Sequence, residues 1–499
     1  MTLRKIRITL AAVMFICITW LFVDFTGTAN ELPFVTWMPK LQLLETILAV
    51  NVVALVLLVV LTLVFGRIYC SVICPLGVMQ DLFGWLGKKA RKNRYTFSRA
   101  LSWLRYTMLG LLIVAFAAGV GTIVQLLAPY SAYGRIAANL LQPVYQAGNN
   151  VLATIAEHYD SYAFYQSDIW LRSAVSVAIA AVTLVVLAVL AWRNGRTYCN
   201  TICPVGTLLS FLSRFSWMKI RFDADKCKNC SLCTKNCKAS CIDYKNHAVD
   251  YSRCVVCGDC LSSCKFGALK YAGGTLSSQT AATTADSQTA DAGKRSFLLA
   301  SAMMTTAALA QQKDKMMDGG LAEIEDKVAP ERQTPLSPPG SLSASNMATR
   351  CTGCQLCISE CPNQVLRPSS DLLHLMQPVM SYERGYCRPE CTQCSEVCPA
   401  GAIKPIEKAV KASTQIGHAV WIKKNCIPLT DGVECGNCAR HCPTGAIEMV
   451  LANPDDEESP VIPAINEALC IGCGACEYLC PARPFSAIYV EGHEVHKEI

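Results

Sequence analysis

The sequence predicts an α-helical membrane domain with four transmembrane helices and a candidate fifth, joined to two small α+β domains. Two observations predict this fold class. The chain of 499 residues is 52% hydrophobic and 17% charged, which indicates a partly membrane-embedded protein. All of its thirty cysteines except Cys17 stand in short, regularly spaced groups. In a chain of this length, such groups indicate metal ligands rather than a disulfide scaffold.

Four apolar stretches lie in residues 1–215, the predicted membrane domain, and each comes close to or exceeds the roughly 20 residues that a spanning helix needs. They are residues 8–25, 41–65, 106–128 and 169–192. Lys and Arg gather before the first stretch and between the second and third, which places those loops in the cytoplasm. We therefore expect a protein of the bacterial cytoplasmic membrane, in contact with lipid. The net charge of +7 belongs to this topology and does not indicate nucleic acid binding.

The rest of the chain alternates between cysteine-rich domains and linkers. Residues 216–271 form the first cysteine-rich domain and residues 347–499 the second, with linkers at 272–293 and 311–346. Residues 294–310 combine a basic pair, a short apolar run and an Ala-Leu-Ala end. This pattern is typical of an export signal and predicts that the second domain is periplasmic. The alternatives are a fifth membrane segment or a short surface helix.

The first cysteine-rich domain contains two copies of the bacterial ferredoxin spacing Cys-x-x-Cys-x-x-Cys-x-x-x-Cys. In that spacing three thiolates hold one [4Fe-4S] cluster and the fourth reaches the neighbouring cluster. The predicted ligand sets are Cys227, Cys230, Cys233 and Cys264, and Cys254, Cys257, Cys260 and Cys237. Lys238 and Lys265 replace the usual proline after the fourth cysteine, and Cys241 is an alternative to Cys237 as a ligand. Zinc ribbons would leave the third cysteine of every group without a role.

The second domain repeats the pattern four times, and a proline follows the last cysteine of every repeat. The repeats are Cys351, Cys354, Cys357 and Cys361; Cys387, Cys391, Cys394 and Cys398; Cys426, Cys435, Cys438 and Cys442; and Cys470, Cys473, Cys476 and Cys480. The spacing thus predicts two ferredoxin-like domains, one with two clusters and one with four, and six [4Fe-4S] clusters in all. Ligands for haem and motifs for flavin or nucleotide are not evident in the sequence.

The second domain resembles NapG, the four-cluster ferredoxin-type subunit of periplasmic nitrate reductase systems, which also begins with an export signal. The resemblance implies a nested pairing. In that pairing Cys480 completes the Cys351, Cys354 and Cys357 site, and Cys361 completes the Cys470, Cys473 and Cys476 site. Likewise Cys442 joins Cys387, Cys391 and Cys394, and Cys398 joins Cys426, Cys435 and Cys438.

The membrane part carries two similar motifs, Tyr-Cys-Ser-Val-Ile-Cys-Pro-Leu-Gly at 69–77 and Tyr-Cys-Asn-Thr-Ile-Cys-Pro-Val-Gly at 198–206. With them, residues 1–271 resemble NapH, the membrane partner of NapG, and more distantly the membrane part of NosR. The chain thus resembles a fusion of two subunits. Three roles remain open for Cys70, Cys74, Cys199 and Cys203: ligands of one iron–sulfur or other soft-metal centre, a reversible dithiol, or structural packing.

These expectations lead to an electron-transfer function. The resemblance and the topology together imply that quinol from the quinone pool is oxidised, and that electrons pass through clusters to a terminal reductase in the periplasm. Clusters carry one electron at a time, so the protein supplies a conducting chain and no catalytic residue of its own. The alternatives are an accessory factor that matures or reactivates a metalloenzyme, and an all-cytoplasmic carrier that serves a soluble electron acceptor.

Overall fold

The computed structural model describes residues 3–90, 95–273 and 325–499. The segment 294–310, predicted as an export signal or fifth membrane segment, lies outside these ranges. The described residues form a helical domain (residues 3–215), a first cysteine-rich unit (residues 216–273) and a second cysteine-rich unit (residues 325–499).

The helical domain is built from apolar helices joined by short turns. Its helices are α1 (Leu3–Val23), α2 (Pro33–Trp37), α3 (Leu43–Leu48), α4 (Val52–Phe65), α5 (Tyr69–Val72), α6 (Pro75–Lys89), α7 (Ser102–Ala117), α8 (Gly121–Leu127), α9 (Pro129–Ile136), α10 (Gln142–His158), α11 (Ala174–Asn194), α12 (Thr197–Thr201) and α13 (Pro204–Ser213). The prolines at the starts of α6 and α13 lack the N–H that an interior helical position would need, so they fit a first helical turn.

Two helices among the described residues, α1 and α11, have the length and apolar composition needed to cross a membrane. The predicted second span, 41–65, is divided into α3 and α4 at Val50, which has a left-handed backbone with φ 55°. The predicted third span, 106–128, is divided into α7 and α8 at Gly119, with φ 71°. The helices α4 and α7 are therefore shorter, at 14 and 16 residues, and a domain of four transmembrane helices stays a prediction.

Long helices of the helical domain run from one cysteine-rich unit to the other. At the start of α1, Arg4 donates to Asp259 of the first unit at 2.9 Å. At the other end, Asp24 directly follows α1 and is close enough to Glu360 of the second unit to interact with it electrostatically. Near the start of α11, Ser176 accepts a hydrogen bond from Gln355 of the second unit at 2.7 Å. Just beyond its end, the Arg196 amide donates to the Lys238 carbonyl of the first unit at 2.8 Å. The two units therefore occupy opposite ends of the helical domain.

The first cysteine-rich unit is a small α+β fold. Its elements are β1 (Lys219–Phe222), α14 (Leu232–Lys235), β2 (Ile242–Asp243), β3 (Ala248–Val249), α15 (Asp259–Ser263) and β4 (Leu269–Ala272). The first and last strands of the unit, β1 and β4, pair antiparallel, with Lys219 opposite Ala272. The strands β2 and β3 form a hairpin. The helices α14 and α15 pack against each other, and α14 also contacts β2 while α15 contacts β4.

The second cysteine-rich unit repeats this plan. Its helices are α16 (Ala344–Arg350), α17 (Leu356–Ser359), α18 (Gln393–Val397), α19 (Lys408–Ser413), α20 (Ile427–Thr430), α21 (Asn437–Arg440) and α22 (Ala475–Leu479). Its strands are β5 (Leu366–Pro368), β6 (Pro378–Met380), β7 (Thr414–Trp421), β8 (Ile447–Leu451), β9 (Val461–Ile465) and β10 (Ile488–Glu498). The antiparallel pairs are β5 with β6, β7 with β10 and β8 with β9.

The linker predicted at 311–346 needs a correction. From residue 325 onward, this segment packs on the second unit. Leu336 is buried in the core of that unit and its carbonyl accepts from the Met380 amide at 3.0 Å. Arg332 donates to both carboxylate oxygens of Glu477, at 2.7 and 2.8 Å. The Pro- and Ser-rich composition indicated an unstructured linker, but a few anchoring side chains are enough to fix an extended segment on a core.

Candidate iron–sulfur sites

The first site lies in the first cysteine-rich unit. Four thiols line one cavity there: those of Cys227, Cys230, Cys233 and Cys264. The cysteine loop curls around this cavity because Asn229 and Ser231 adopt left-handed backbone conformations, with φ 52° and 56°. These four cysteines are the set that the ferredoxin spacing predicts.

The second site of this unit gathers five thiols. Cys237 lies close enough to Cys254, Cys257 and Cys260 to interact electrostatically with all three, as the spacing predicts. The Sγ of Cys241 lies 3.5 Å from that of Cys237 and also contacts Cys254. The structure therefore brings both candidates for the fourth ligand to the site.

The second cysteine-rich unit pairs its motifs differently from the nested arrangement implied by the NapG resemblance. Three cavities are each lined by three cysteines of one motif and the last cysteine of a neighbouring motif. The sets are Cys351, Cys354, Cys357 and Cys398; Cys426, Cys435, Cys438 and Cys480; and Cys470, Cys473, Cys476 and Cys442. The remaining set is Cys387, Cys391 and Cys394 with Cys361, which interacts with all three. The nested pairing is therefore wrong for this chain.

The packing of the short helices explains this exchange between neighbours. The helix that follows each three-cysteine loop packs against the helix of the next motif: α17 against α18, and α21 against α22. The helices α14 and α15 pack in the same way in the first unit. The last cysteine of each motif lies just after this helix. It therefore reaches the cluster site of the motif whose helix packs against its own. The second unit is thus two consecutive copies of the arrangement in the first unit.

The four cysteines of the helical domain also come together. Cys70 lies on α5 and Cys74 just after it, and Cys199 and Cys203 lie in the same way on and just after α12; all are at most 5% exposed. Cys74 and Cys203 each interact electrostatically with Cys70 and Cys199. The Gln80 side chain donates to the Cys199 sulfur at 3.2 Å, and the Gly206 amide donates to the Cys203 sulfur at 3.4 Å. Two motifs far apart in sequence thus contribute to one buried group of thiols.

Comparison with known proteins agrees with this cysteine geometry. A 4Fe-4S binding domain model matches residues 48–94 and 173–223, and two 4Fe-4S dicluster domain models match residues 250–365 and 433–483. The ferredoxin-type protein NapF of Escherichia coli is 30% identical over 161 residues, which cover 32% of this chain and 87% of NapF. The chain belongs to the ferredoxin-type 4Fe-4S proteins. It is accordingly an iron–sulfur electron-transfer protein.

Two relatives extend the similarity of this ferredoxin-type protein over about half of its length. The uncharacterized protein MJ0749 of Methanocaldococcus jannaschii is 24% identical over 276 residues, covering 54% of this chain and 86% of that protein. The putative electron transport protein YccM of Escherichia coli is 26% identical over 249 residues, covering 46% of this chain and 62% of YccM. No solved structure is significantly similar to the chain.

The thiol sites of the ferredoxin-type protein fit iron–sulfur clusters rather than single ions. Among the described residues, no three Cys, His, Asp or Glu side chains converge tightly enough to hold one metal ion. Four thiols around a cavity instead suit a cluster, whose irons are spread over several ångströms. Backbone amides also donate to the sulfur atoms, as from Gly353 to Cys351 at 3.4 Å and from Ala487 to Cys480 at 3.3 Å. Such hydrogen bonds tune a cluster's potential.

The structure also gives Lys238 a role that the sequence left unexplained. Its ammonium group donates to Asp81 of α6 at 2.8 Å and lies 3.2 Å from Asp259. Asp81 further accepts from Arg196 at 2.7 Å and from Arg7 at 2.9 Å. A proline after Cys237 could not make these contacts. Lys238 therefore binds the first cysteine-rich unit to the helical domain of the ferredoxin-type protein.

Sequence reasoning missed the buried polar residues around the four thiols of the helical domain. Arg67, Arg196 and Gln80 are each at most 1% exposed, although two of them are cations. The available signal was that Gly-Arg precedes both cysteine motifs, at 66–67 and 195–196. A charged residue repeated at the same place in two apolar segments indicates function rather than packing.

Proposed function

We propose that this chain is a membrane-bound protein that oxidises quinol and passes the electrons through [4Fe-4S] clusters to a reductase outside the cytoplasm. One observation carries the proposal: the two cysteine-rich units lie at opposite ends of α1. A helix of 21 residues is about 30 Å long, which matches the hydrocarbon core of a bilayer. Arg4 and Arg7 stand at the end occupied by the first unit, so that unit lies on the cytoplasmic side.

The second cysteine-rich unit then lies on the periplasmic side, where it delivers electrons to its acceptor. With six ferredoxin-type thiol sites, two in the first unit and four in the second, the chain carries six [4Fe-4S] clusters. A quinol gives up two electrons and two protons, whereas each cluster accepts one electron. The two electrons therefore leave the quinol one at a time, and the protons go to water or to a nearby base.

A pocket at the junction of the helical domain and the second unit is the candidate quinol site. It opens to the surface, and its lining includes Gln142, Asp168, Trp170, Arg172 and Gln364. The Trp170 ring already carries the guanidinium groups of Arg367 and Arg384, at 4.6 and 4.7 Å. The polar side chains of the lining suit a quinol head group, whose two hydroxyls need hydrogen-bond partners. Asp168 supplies a carboxylate to the lining that can accept a released proton.

Arg172 connects this pocket with a cluster site. Its guanidinium donates to the Gln142 amide oxygen at 3.0 Å, and it is close enough to Cys361 and Cys357 to interact electrostatically with both thiols. These cysteines belong to two different sites of the second unit, described above. An electron leaving a quinol in the pocket therefore has two cluster sites nearby.

The test is anaerobic reduction of the purified full-length protein by a soluble quinol, followed by cluster absorbance. We expect quinol to bleach the wild-type clusters, and Arg172→Gln to slow the bleaching about tenfold, which corresponds to about 1.4 kcal/mol. Reduction by dithionite, which needs no quinol site, should be the same in both. Arg193→Gln, an exposed arginine at the far end of α11, is the matched control. Wild-type clusters that dithionite reduces and quinol does not would contradict the proposal.

A further inference from the structure

The two membrane cysteine motifs belong to a longer internal repeat. Residues 66–77 and 195–206 share the pattern Gly-Arg-x-Tyr-Cys-x-x-Ile-Cys-Pro-x-Gly. The first glycine of each copy, Gly66 or Gly195, has a positive φ, 77° or 69°, and ends the preceding helix α4 or α11. The proline of each copy begins the next helix, α6 or α13. The two copies therefore have the same local structure.

The two copies also pack against each other reciprocally. Arg67 of the first copy donates to the Cys199 carbonyl at 3.4 Å, and Arg196 of the second copy donates to the Cys70 carbonyl at 2.5 Å. The last glycine of each copy lets the arginine of the other copy approach closely. A Cβ on Gly77 would lie 3.3 Å from a guanidinium nitrogen of Arg196, and a Cβ on Gly206 would lie 2.9 Å from one of Arg67. The two copies thus contact each other through equivalent residues, as an approximate two-fold axis between them requires.

The charge around the thiols requires a negative partner. Arg67 is fully buried, and within the described part of the chain it forms no salt bridge. Its hydrogen-bond acceptors are neutral: the Asn200 side chain, two backbone carbonyls and the Cys70 sulfur at 3.7 Å. Among the residues that the structure describes, the Arg67 Nε and one terminal nitrogen of Arg196 find no hydrogen-bond partner. A buried cation without an anion is strongly unfavourable, so the thiol group is expected to be the anion.

We propose that Cys70, Cys74, Cys199 and Cys203 together hold one further iron–sulfur cluster, shared between the two copies of the repeat. The 4Fe-4S binding domain model matches each copy separately, yet each match contains only two cysteines, which is too few for a four-thiolate cluster. The structure joins the two pairs into one set of four. Four thiolates around a cluster carry a net negative charge, which balances Arg67. Gln80 and the Gly206 amide supply hydrogen bonds to sulfur.

The shared site lies between the two cysteine-rich units. On one side, Arg67 donates to the carbonyl of Ser252 at 2.7 Å, two residues before Cys254 of the first unit. On the other side, the Tyr69 hydroxyl accepts from the Leu43 amide at 3.1 Å, at the start of α3. The far end of α3 reaches the second unit, since its Leu48 carbonyl accepts from Arg350. A cluster at this position divides a long gap into two shorter ones.

The role of the shared cluster rests on the proposed electron-transfer function, whereas its existence does not. In each step one cluster is oxidised by one electron and its neighbour is reduced by that electron, with no bond made or broken and no proton moved. The shared cluster exchanges electrons in this way with the Cys254 site of the first unit and with the Cys351 site of the second. The two units are then connected directly across the helical domain.

The test is the iron and acid-labile sulfide content of the full-length protein, with spectroscopy of its reduced clusters. Cys199→Ser should lose about four irons per chain if the shared cluster is of the [4Fe-4S] type, together with one paramagnetic signal. Cys17→Ser is the matched control, because Cys17 lies on α1 outside every thiol group, and it should keep the full content. Retention of the other cluster signals in Cys199→Ser would show that the chain still folds. Unchanged iron in Cys199→Ser would overturn the proposal.

A second variant leaves all cysteines in place. Arg67→Gln removes a buried positive charge that faces both the shared site and Cys254 of the first unit. It should therefore lower the midpoint potentials of two clusters and leave the clusters of the second unit unshifted. A redox titration in which at most one cluster shifts, or in which the four thiols titrate as a two-electron disulfide, would overturn the assignment. Failure of quinol to reduce the protein, with the iron content and this shift intact, would refute the quinol proposal alone.

Discussion

Replacing Asp81 by Asn should loosen the first cysteine-rich unit from the helical domain. The Asp81 carboxylate binds three cations from three parts of the chain: Arg196 at 2.7 Å, Lys238 at 2.8 Å and Arg7 at 2.9 Å. The Asp81 side chain is 13% exposed and that of Arg196 is 0% exposed. The variant therefore leaves buried cations without their counter-charge, which typically costs about 3–5 kcal/mol.

Hydrogen exchange measures this loosening directly. The Arg196 amide donates to the Lys238 carbonyl at 2.8 Å, so its exchange reports opening between the helical domain and the first unit. We take a loss of about 3 kcal/mol, the low end of this range, because Asp81 is partly exposed. If exchange proceeds through this opening, such a loss would make the exchange about 150-fold faster. The control is Asp223→Asn, which breaks the exposed pair with Lys226 and should change stability by less than about 1 kcal/mol. Equal effects of the two variants would refute the reasoning.

The same contact should depend on pH. Burial raises the pKa of Asp81, but Arg196 and Lys238 lower it by more, so its pKa in the folded protein lies well below the ordinary value of 3.8. A carboxylate with a depressed pKa stabilises the fold above its unfolded-state pKa, and this stabilisation is lost as the pH falls through its folded-state pKa. Protection of the Arg196 amide by this contact should therefore persist from neutral pH to about pH 4 and decrease in stronger acid.

Three further predictions concern the second cysteine-rich unit. Gly474→Ala should lower the melting temperature and the cluster content. Gly474 has a φ of +79°, and a Cβ at this position would lie 2.2 Å from the Tyr382 ring. Gly110→Ala is the control and should change neither quantity, because a Cβ on Gly110 would meet no described atom within 4 Å. Cys442→Ser should alter the spectrum of the cluster bound by the loop at 470–476, because Cys442 lines the same cavity as that loop. A spectral change confined to the cluster of the loop at 387–394 would instead favour the nested pairing. Glu477→Gln should lower the free energy of unfolding of the unit by about 2–3 kcal/mol, because the buried Glu477 carboxylate accepts two hydrogen bonds from the Arg332 guanidinium. A change below about 0.5 kcal/mol, which is typical of a surface substitution, would contradict this prediction.

The cysteine spacing predicted which loops form sites but not which motifs exchange ligands. The first unit contains only two motifs in its sequence, which begin at Cys227 and Cys254, so each can exchange its last cysteine with just one partner within that unit. The second unit has four motifs and therefore several pairings. The choice depends on how the short helices pack, as α17 does on α18, and that packing cannot be read from spacing alone. The family resemblance supplied a pairing that this packing contradicts.

The two cysteine motifs of the helical domain give a second example of what the sequence could not predict. Their similarity predicted two related halves, and the i, i+4 spacing of the thiols placed each pair on one helix face. The reciprocal contacts of Arg67 and Arg196 depend on how the two halves dock, which hydropathy does not encode. Hydropathy also predicted uninterrupted spans, because it carries no information on backbone conformation and therefore could not reveal the left-handed residues Val50 and Gly119.

The most direct test of the central claim is the side of the membrane on which the second cysteine-rich unit lies. A reporter that is active only outside the cytoplasm can be fused after Ile499, with protease accessibility measured in spheroplasts. We predict an active reporter, a protease-accessible second unit and a protected first unit, because the two units lie at opposite ends of α1. An inactive reporter with both units protected would contradict transfer across the membrane and would place all the clusters in the cytoplasm.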